Sequence, residues 1–276
     1  MTTLSPRLRP LDTPDLTFLT GAASPTVDAL LARVSVVIPA LNEAPNLPLV
    51  LRRIPRGVHE VILVDGHSTD ETIAITQACW PGIRVIVQSG RGKGDALRCG
   101  FAAATGEFIV MLDADGSSAP EEIPLYVLPL QLGYDLVKGS RFLRGGGSDD
   151  LTLVRRLGHA VLLTLTNLLH RTHYSDLCYG YCALRRRCVA ALQLDASGFE
   201  IETQLNIRAS RMGLRIAEVP SWERARRFGR SRLRTVRDGG RVLWVIVREL
   251  FGPHPKWVVL AEGISSGPIV PVERVF

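Results

Sequence analysis

Two aspartates one residue apart, Asp113 and Asp115, end the apolar run in "EFIVMLDAD". Side chains at i and i+2 of a turn can address one cation, and hard carboxylate oxygens suit Mg2+ or Mn2+. Such an ion keeps positions open for substrate phosphates, so its role would be to neutralise a departing diphosphate. The competing reading is a solvated loop, since Asp-x-Asp alone is a common tripeptide. A buried strand before the pair favours the metal site. So does a helix start after it, where Ser118-x-x-Glu121 with Pro120 fits a capping box.

Two further stretches could carry charge chemistry. "SGRGKGDA" at 89–96 is glycine-rich but fits neither G-x-G-x-x-G nor a phosphate loop ending in G-K-[ST]. That argues against an oxidoreductase or an ATPase. Lys93 and Gly94 at a helix N-terminus can meet an anion through charge and backbone N–H groups; a plain tight turn is the alternative. Later, eight arginines fall between Arg224 and Arg241. They read either as a holder of lipid phosphate or an anionic bilayer, or as a solvated face. A nucleic-acid reading leaves the aspartate pair unexplained and finds few aromatics among the arginines.

The elements around these residues alternate. Short β-branched runs, "VSVVIPA", "HEVILVDG", "IRVIVQ", "GEFIVMLD" and "DLVKGS", read as buried parallel strands. Helical stretches separate them, one opened by a capping box at Ser68-x-x-Glu71. The pattern predicts an α/β fold, a mostly parallel sheet with helices on both faces. Ligands of such sheets sit beyond the carboxyl ends of the strands. The post-strand residues Pro39 to Glu43, Asp65-Gly66 and Asp113-Ala114-Asp115 should therefore converge. After residue 145, "GGGSDD" reads as a hinge or lid. A helix is expected over 151–169, a returning strand in "SDLCYGYCALRR", and a helix ending at Gly213 as its C′ residue.

The chain has 276 residues, 46% of them hydrophobic and 22% charged, with a net charge of +6. That suits a globular protein with an anionic ligand. Five cysteines with no zinc-ribbon spacing read as reduced thiols of a cytosolic protein. No apolar run reaches transmembrane length. "RVLWVIVRELF" is amphipathic and is assigned to core packing rather than to a membrane surface.

In this order, "VVIPALNEAPNL", "VILVDGHSTDET", "GKGDALRCGFAAATGEFIVMLDAD" and "KGSRF" resemble the family 2 glycosyltransferases of GT-A fold. The later "YSDLCYGYCALRRRCVAAL", "GFEIETQLNIRASRMGLRIAEVP" and "RRFGRSRL" are similar to the branch containing dolichyl-phosphate mannose synthase and other polyprenyl-phosphate sugar transferases. The resemblance covers roughly Val34 to Leu250. It implies a single GT-A domain over 34–251, with a nucleotide-sugar half (34–140) and an acceptor half (141–251). A flexible arm (1–33) and a tail (252–276) would flank it.

It also implies roles. Pro39, Ala40, Asn42, Glu43, Asp65, Lys93, Gly94, Asp113, Ala114 and Asp115 would bind a UDP- or GDP-linked sugar. Asp113 and Asp115 would hold Mg2+ or Mn2+. Arg141, a second arginine (Arg155 or Arg156), Arg226 and Ser231 would hold the acceptor, a polyprenyl phosphate or a small molecule. The expected reaction is inverting displacement at the anomeric carbon, with Arg141 contributing. A hydroxyl acceptor would need a carboxylate base, for which Asp176, Glu200 and Glu202 are candidates. The expected location is the cytoplasm, with peripheral contact at the inner face of a membrane. A non-catalytic sugar-nucleotide-binding protein is the reading from another class. The chain departs from the family in Asp65-Gly66-His67-Ser68, where a second acidic residue is common, and in Gly116-Ser117 after the aspartate pair.

Overall fold

The computed structural model describes residues 26–252 and the backbone of a two-residue strand at 273–274. Its main sheet contains β1 (Val34–Ala40), β2 (Glu60–Asp65), β3 (Arg84–Val87), β4 (Phe108–Met111), β5 (Leu136–Ser140), β7 (Cys182–Arg185), β8 (Ile216–Pro220) and β10 (Glu273–Arg274). The spatial order is β10-β8-β5-β7-β4-β1-β2-β3. A separate ribbon pairs β6 (Gly147–Ser148) with β9 (Trp222–Glu223) in parallel.

The central strands are apolar at consecutive positions because helices cover both faces of the sheet. Alternate residues feed two cores. Val36 and Ile38 of β1 pack with α2 (Leu47–Leu51) and α5 (Ile123–Gln131). Val37, between them, packs with α4 (Lys93–Ala103) and α8 (Ile201–Arg211) on the other side. The remaining helices are α1 (Val27–Leu31), α3 (Thr72–Cys79), α6 (Leu153–His170), α7 (Arg186–Leu192) and α9 (Thr235–Phe251).

Every strand pair is parallel except those of β7, which runs antiparallel to both β4 and β5. That reversal positions the site. The chain enters β7 from the edge where the other strands end, so residues just before it cross the ligand edge. The strand expected in "SDLCYGYCALRR" is accordingly confined to Cys182–Arg185. Upstream, the backbone N–H groups of Ser175 and Asp176 donate to the Glu218 carboxylate instead of to a neighbouring strand.

Four other local expectations need correction. Ser68 does not cap α3; its hydroxyl accepts from the Asn42 amide at 2.9 Å, and Asp70 instead accepts from Thr72 N at 3.0 Å. The Ser118 capping box is likewise absent, because the chain enters α5 through a 3-10 turn at Pro120–Glu122 with no side-chain cap. Residues 26–33 are not a loose arm. Leu30 and Leu31 are core residues, and Arg33 pairs with Glu107. Residues 1–25 lie outside the described residues. The hinge expected at 145–150 is tied down by the β6–β9 ribbon, where Asp149 N donates to Glu223 O at 2.8 Å. By contrast, Gly213 adopts φ +68° and closes α8 as expected, with Leu214 N donating to Ala209 O.

Candidate active site

A cavity of about 390 Å³ opens at the carboxyl edge of the sheet. Lys93, Asp113, Asp115, Arg141, Glu202 and Arg226 line it, from separate elements. Ser231 lines its outer part and is exposed.

The aspartate pair is held by cations of the chain. Lys93 Nζ, at the start of α4, lies 2.6 Å from Asp113 Oδ1 and 2.6 Å from Glu202 Oε1. Burial opposes the lysine charge, but these two carboxylates outweigh it and raise the Lys93 pKa above its ordinary value. Burial also raises the Glu202 carboxyl, with Lys93 pulling the other way. Arg226 NH2 donates to Asp115 Oδ2 at 3.2 Å while its fork grips Glu43 with two bonds of 2.9 Å. Asn46 then clips the loop by exchanging hydrogen bonds with the backbone of Phe228. Glu43 therefore holds Arg226 and does not line the cavity.

Asp176 is fully buried beneath Arg141 and does not line the cavity either. It accepts from Arg141 Nε at 2.7 Å, from Arg141 NH2 at 3.0 Å and from the Arg141 amide at 3.1 Å. His159 Nε2 is 3.0 Å away. Burial raises the carboxyl, but His159, Arg141 and Lys138 together hold it well below the usual carboxylate range. A carboxylate so held, and away from the cavity, is a poor proton acceptor, which argues against the base role expected of Asp176. It holds the Arg141 guanidinium in place. The third arm of Arg141, NH1, meets Glu223 at 3.0 Å, and the guanidinium sits over the Tyr179 ring.

The remaining candidates fall around this centre. The loops after β1 and β2 are knitted together. Gly66 N donates to Ala40 O at 2.7 Å, Thr69 N to the Asn42 side chain at 2.7 Å, and Ser68 N to Asp65 Oδ2 at 3.0 Å. Asp65 Oδ1 is buried with no hydrogen-bond partner, an acceptor suited to a donor on a ligand. Pro39 and Ala40 at the end of β1, Asp65 at the end of β2 and Asn42 in the loop after β1 thus lie together outside the cavity lining, and Ala114 is packed into the core. Gly94 cannot offer its N–H to an anion, because it donates to Ser197 O at 2.9 Å. Arg156 is exposed and does not line the cavity; its neighbour Arg155 lines it and pairs with Asp150 at 2.9 Å. Glu200 is buried, with one oxygen accepting from Gly198 N at 3.0 Å.

The close approach at Gly94 makes a test. A Cβ there would sit 2.3 Å from Ala196 O and 2.8 Å from the Ser197 carbonyl carbon. Backbone cannot yield as a side-chain tip can. Gly94→Ala should therefore cost ~1–3 kcal/mol in denaturant unfolding and displace Lys93, lowering turnover as well.

Sequence reasoning missed Lys138, His159, Glu218 and Glu223. A signal for two of them was present. "DLVKGS" and "RIAEVPS" each carry one charge inside an apolar strand, of opposite sign. In the sheet, Lys138 and Glu218 stand at paired positions, both buried. Lys138 Nζ donates to Tyr179 O at 3.3 Å, which fixes the segment carrying Asp176 from below.

The sheet order, the aspartates at the end of β4 and the reversed β7 make a comparison with known proteins decisive. The family model for glycosyl transferase family 2 matches residues 35–192. The chain belongs to this family. A relative, glycosyltransferase AglJ of Haloferax volcanii, is 30% identical over 247 residues, covering 88% of this chain and 78% of that protein. An undecaprenyl-phosphate mannosyltransferase of Micrococcus luteus is 32% identical, covering 73% of this chain and 87% of that protein. Among solved structures, glucosyl-3-phosphoglycerate synthase from Mycobacterium tuberculosis, in complex with Mn2+, UDP and phosphoglyceric acid, superimposes with a TM-score of 0.64. It is 27% identical, with 84% of this chain and 85% of that chain covered. The fold is therefore GT-A, and the chain is a glycosyltransferase.

In this glycosyltransferase the donor set fits a hard divalent cation. Asp113 and Asp115 retain partly exposed side chains facing the cavity. Asp115 Oδ1 is steadied by the Ser117 amide at 3.0 Å. Among the described residues no third His, Cys, Asp or Glu completes a cluster with them. An ion there would draw its other oxygens from substrate and water.

The cysteines are free among the described residues. Burial pushes the Cys178 and Cys182 thiols up to about 12, so neither is a nucleophile at neutral pH.

Proposed function

We propose that this glycosyltransferase moves a sugar from a nucleoside diphosphate sugar to a polyprenyl phosphate, with inversion and with dependence on Mg2+ or Mn2+. The observation that carries the reading is the convergence of two carboxylates, Asp113 and Asp115, with three cationic side chains, Lys93, Arg141 and Arg226, on one cavity. Asp113 and Asp115 would hold the cation, which when bound offsets charge on the leaving diphosphate. Lys93 and Arg226 place fixed positive charge beside the same oxygens. Arg141, locked by Asp176 through Nε and NH2, presents its NH1 arm to the acceptor phosphate, which would displace Glu223. A phosphate oxygen is already anionic and needs no strong base, in keeping with the place of Asp176 outside the cavity lining. The undecaprenyl-phosphate relative supports the lipid acceptor.

A second reading, a small phosphorylated acceptor, is favoured by the likeness to a synthase solved with phosphoglyceric acid. In that case Glu202, lining the cavity with a raised pKa, is the available base. Incubation with UDP- and GDP-sugars, with detergent-dispersed polyprenyl phosphate or small phosphorylated acids, separates the readings by mass spectrometry. The expected product is a lipid-linked sugar that disappears with EDTA. Product from the small acids alone would replace the acceptor assignment, and donor binding without transfer to any acceptor would favour the non-catalytic reading.

Arg141→Lys keeps the charge and loses the fork. It should lower transfer to lipid phosphate by about 10²-fold while donor hydrolysis changes little. Equal losses in both reactions would move Arg141 to the donor side.

A further inference from the structure

Two helices present apolar residues on both of their faces. The inward faces of α6 and α9 meet through Leu162 and Leu163 against Val242 and Ile246. The outward face of α6 carries Leu153, Leu157, Val161 and Leu168 at helical spacing, each 60–72% exposed. The stripe runs for roughly 22 Å. On α9, Val236, Leu243, Trp244, Val247 and Phe251 are exposed in the same fashion. An exposed apolar surface of this continuity marks an interaction site. Both helices also line the cavity, through Arg155 and His159 on one side and Asp238 and Val242 on the other.

Charge selects the occupant. The eighteen residues of α6 include no Asp or Glu. In the adjoining segment Arg227, Arg230, Arg232, Arg234 and Arg237 are exposed. Among the described residues only Arg226 of this segment makes an ion pair. A second copy of the chain would set arginine against arginine. An anionic lipid surface instead accepts apolar side chains between its acyl chains and guanidinium groups at its phosphates.

We infer that the outward faces of α6 and α9, with the arginine segment 227–237, form a docking surface for an anionic bilayer, seating the cavity mouth at the lipid phosphates. Among the described residues no helix is long and apolar enough to cross a membrane, so contact through this surface is peripheral. The inference deepens the lipid-acceptor reading and rests on it for its purpose, but its test needs neither donor nor acceptor.

The full chain is floated with phosphatidylcholine vesicles, with and without phosphatidylglycerol. Binding is expected only with the anionic lipid, and it should fall with salt. The pair Leu157→Glu and Val161→Glu, and separately Arg232→Gln with Arg234→Gln, should each weaken binding by about tenfold or more. Circular dichroism should be unchanged, since all four side chains are outside the core. Failure of the parent chain to bind, or variants that bind like the parent, overturns the surface. So does a change from dimer to monomer in sedimentation by the Leu157→Glu, Val161→Glu pair without vesicle binding by the parent, which would assign the face to a second copy. Transfer to detergent-dispersed polyprenyl phosphate without vesicle binding would overturn the surface while leaving the acceptor reading intact. Vesicle binding with transfer only to small acids would do the reverse.

Discussion

Asp115→Ala should keep its fold and lose about 10²–10³-fold or more in turnover. The fold should survive because the Asp115 side chain is partly exposed on a turn and belongs to neither core. Its partner Arg226 would keep both bonds to Glu43, so no cation is left buried and unpaired. Activity should fail because one of the two protein carboxylates that would hold the cation is gone. Asp113→Asn tests the same idea from the other side. Lys93 would retain Glu202 at 2.6 Å, so the lysine stays in place while the metal ligand is weakened. Calorimetric titration of UDP with and without Mn2+ gives a readout apart from turnover. Both variants should lose the Mn2+-dependent part of UDP affinity. Full activity in Asp115→Ala, or unchanged Mn2+-dependent affinity, would remove the metal assignment.

The second large effect is expected at Asp176. Asp176→Ala leaves Arg141 facing a buried void without its counter-charge, which should cost ~3–5 kcal/mol of stability. The milder Asp176→Asn keeps the shape and separates stability from function. Arg141 would lose its two-oxygen clamp, and transfer should fall by about 10²-fold while donor hydrolysis stays within about threefold. Comparable losses in both reactions would mean that Asp176 only supports the fold. The pH dependence has a definite sign. The folded Asp176 carboxyl is held below its ordinary value of 3.8. Its contribution to stability is therefore present above that value and is lost as pH falls through the lower, folded one. Unfolding midpoints of the parent should drop on acidification below about pH 4, and Asp176→Asn should flatten that drop.

Much of the nucleotide edge is legible in the amino-acid order. Strands rich in Val, Ile and Leu, separated by helical stretches, specify a parallel sheet through local periodicity and burial alone. The residues after β1, β2 and β4 then have to share an edge, because parallel strands end on the same side. The antiparallel entry of β7 is not legible, since strand direction depends on where a distant segment finds a vacant edge of the sheet. The place that Asp176 takes beneath Arg141 is hidden for that reason. A carboxylate at the start of an apolar strand reads as a reactive group until the partner 35 residues away is known, and that partner is Arg141. Gly94 fails similarly. A glycine opening a helix looks ready for an anion, and only the approach of the 196–197 backbone shows that its N–H is taken.

Glu43 and the arginine segment make the same point. The proline-and-asparagine loop after β1 announces a ligand site, but its glutamate is turned toward Arg226, 183 residues later. The amino-acid order settles what one stretch of chain can do without help: strand, helix, paired carboxylates, a surplus of arginine. Such properties come from neighbours in the chain and from the need to bury apolar side chains. Which cation meets which carboxylate, which aspartate faces the cavity and which apolar stripes stay outside are decided by packing. Those pairings are between residues brought together across the sheet, where burial makes an unmatched charge costly and so selects one arrangement.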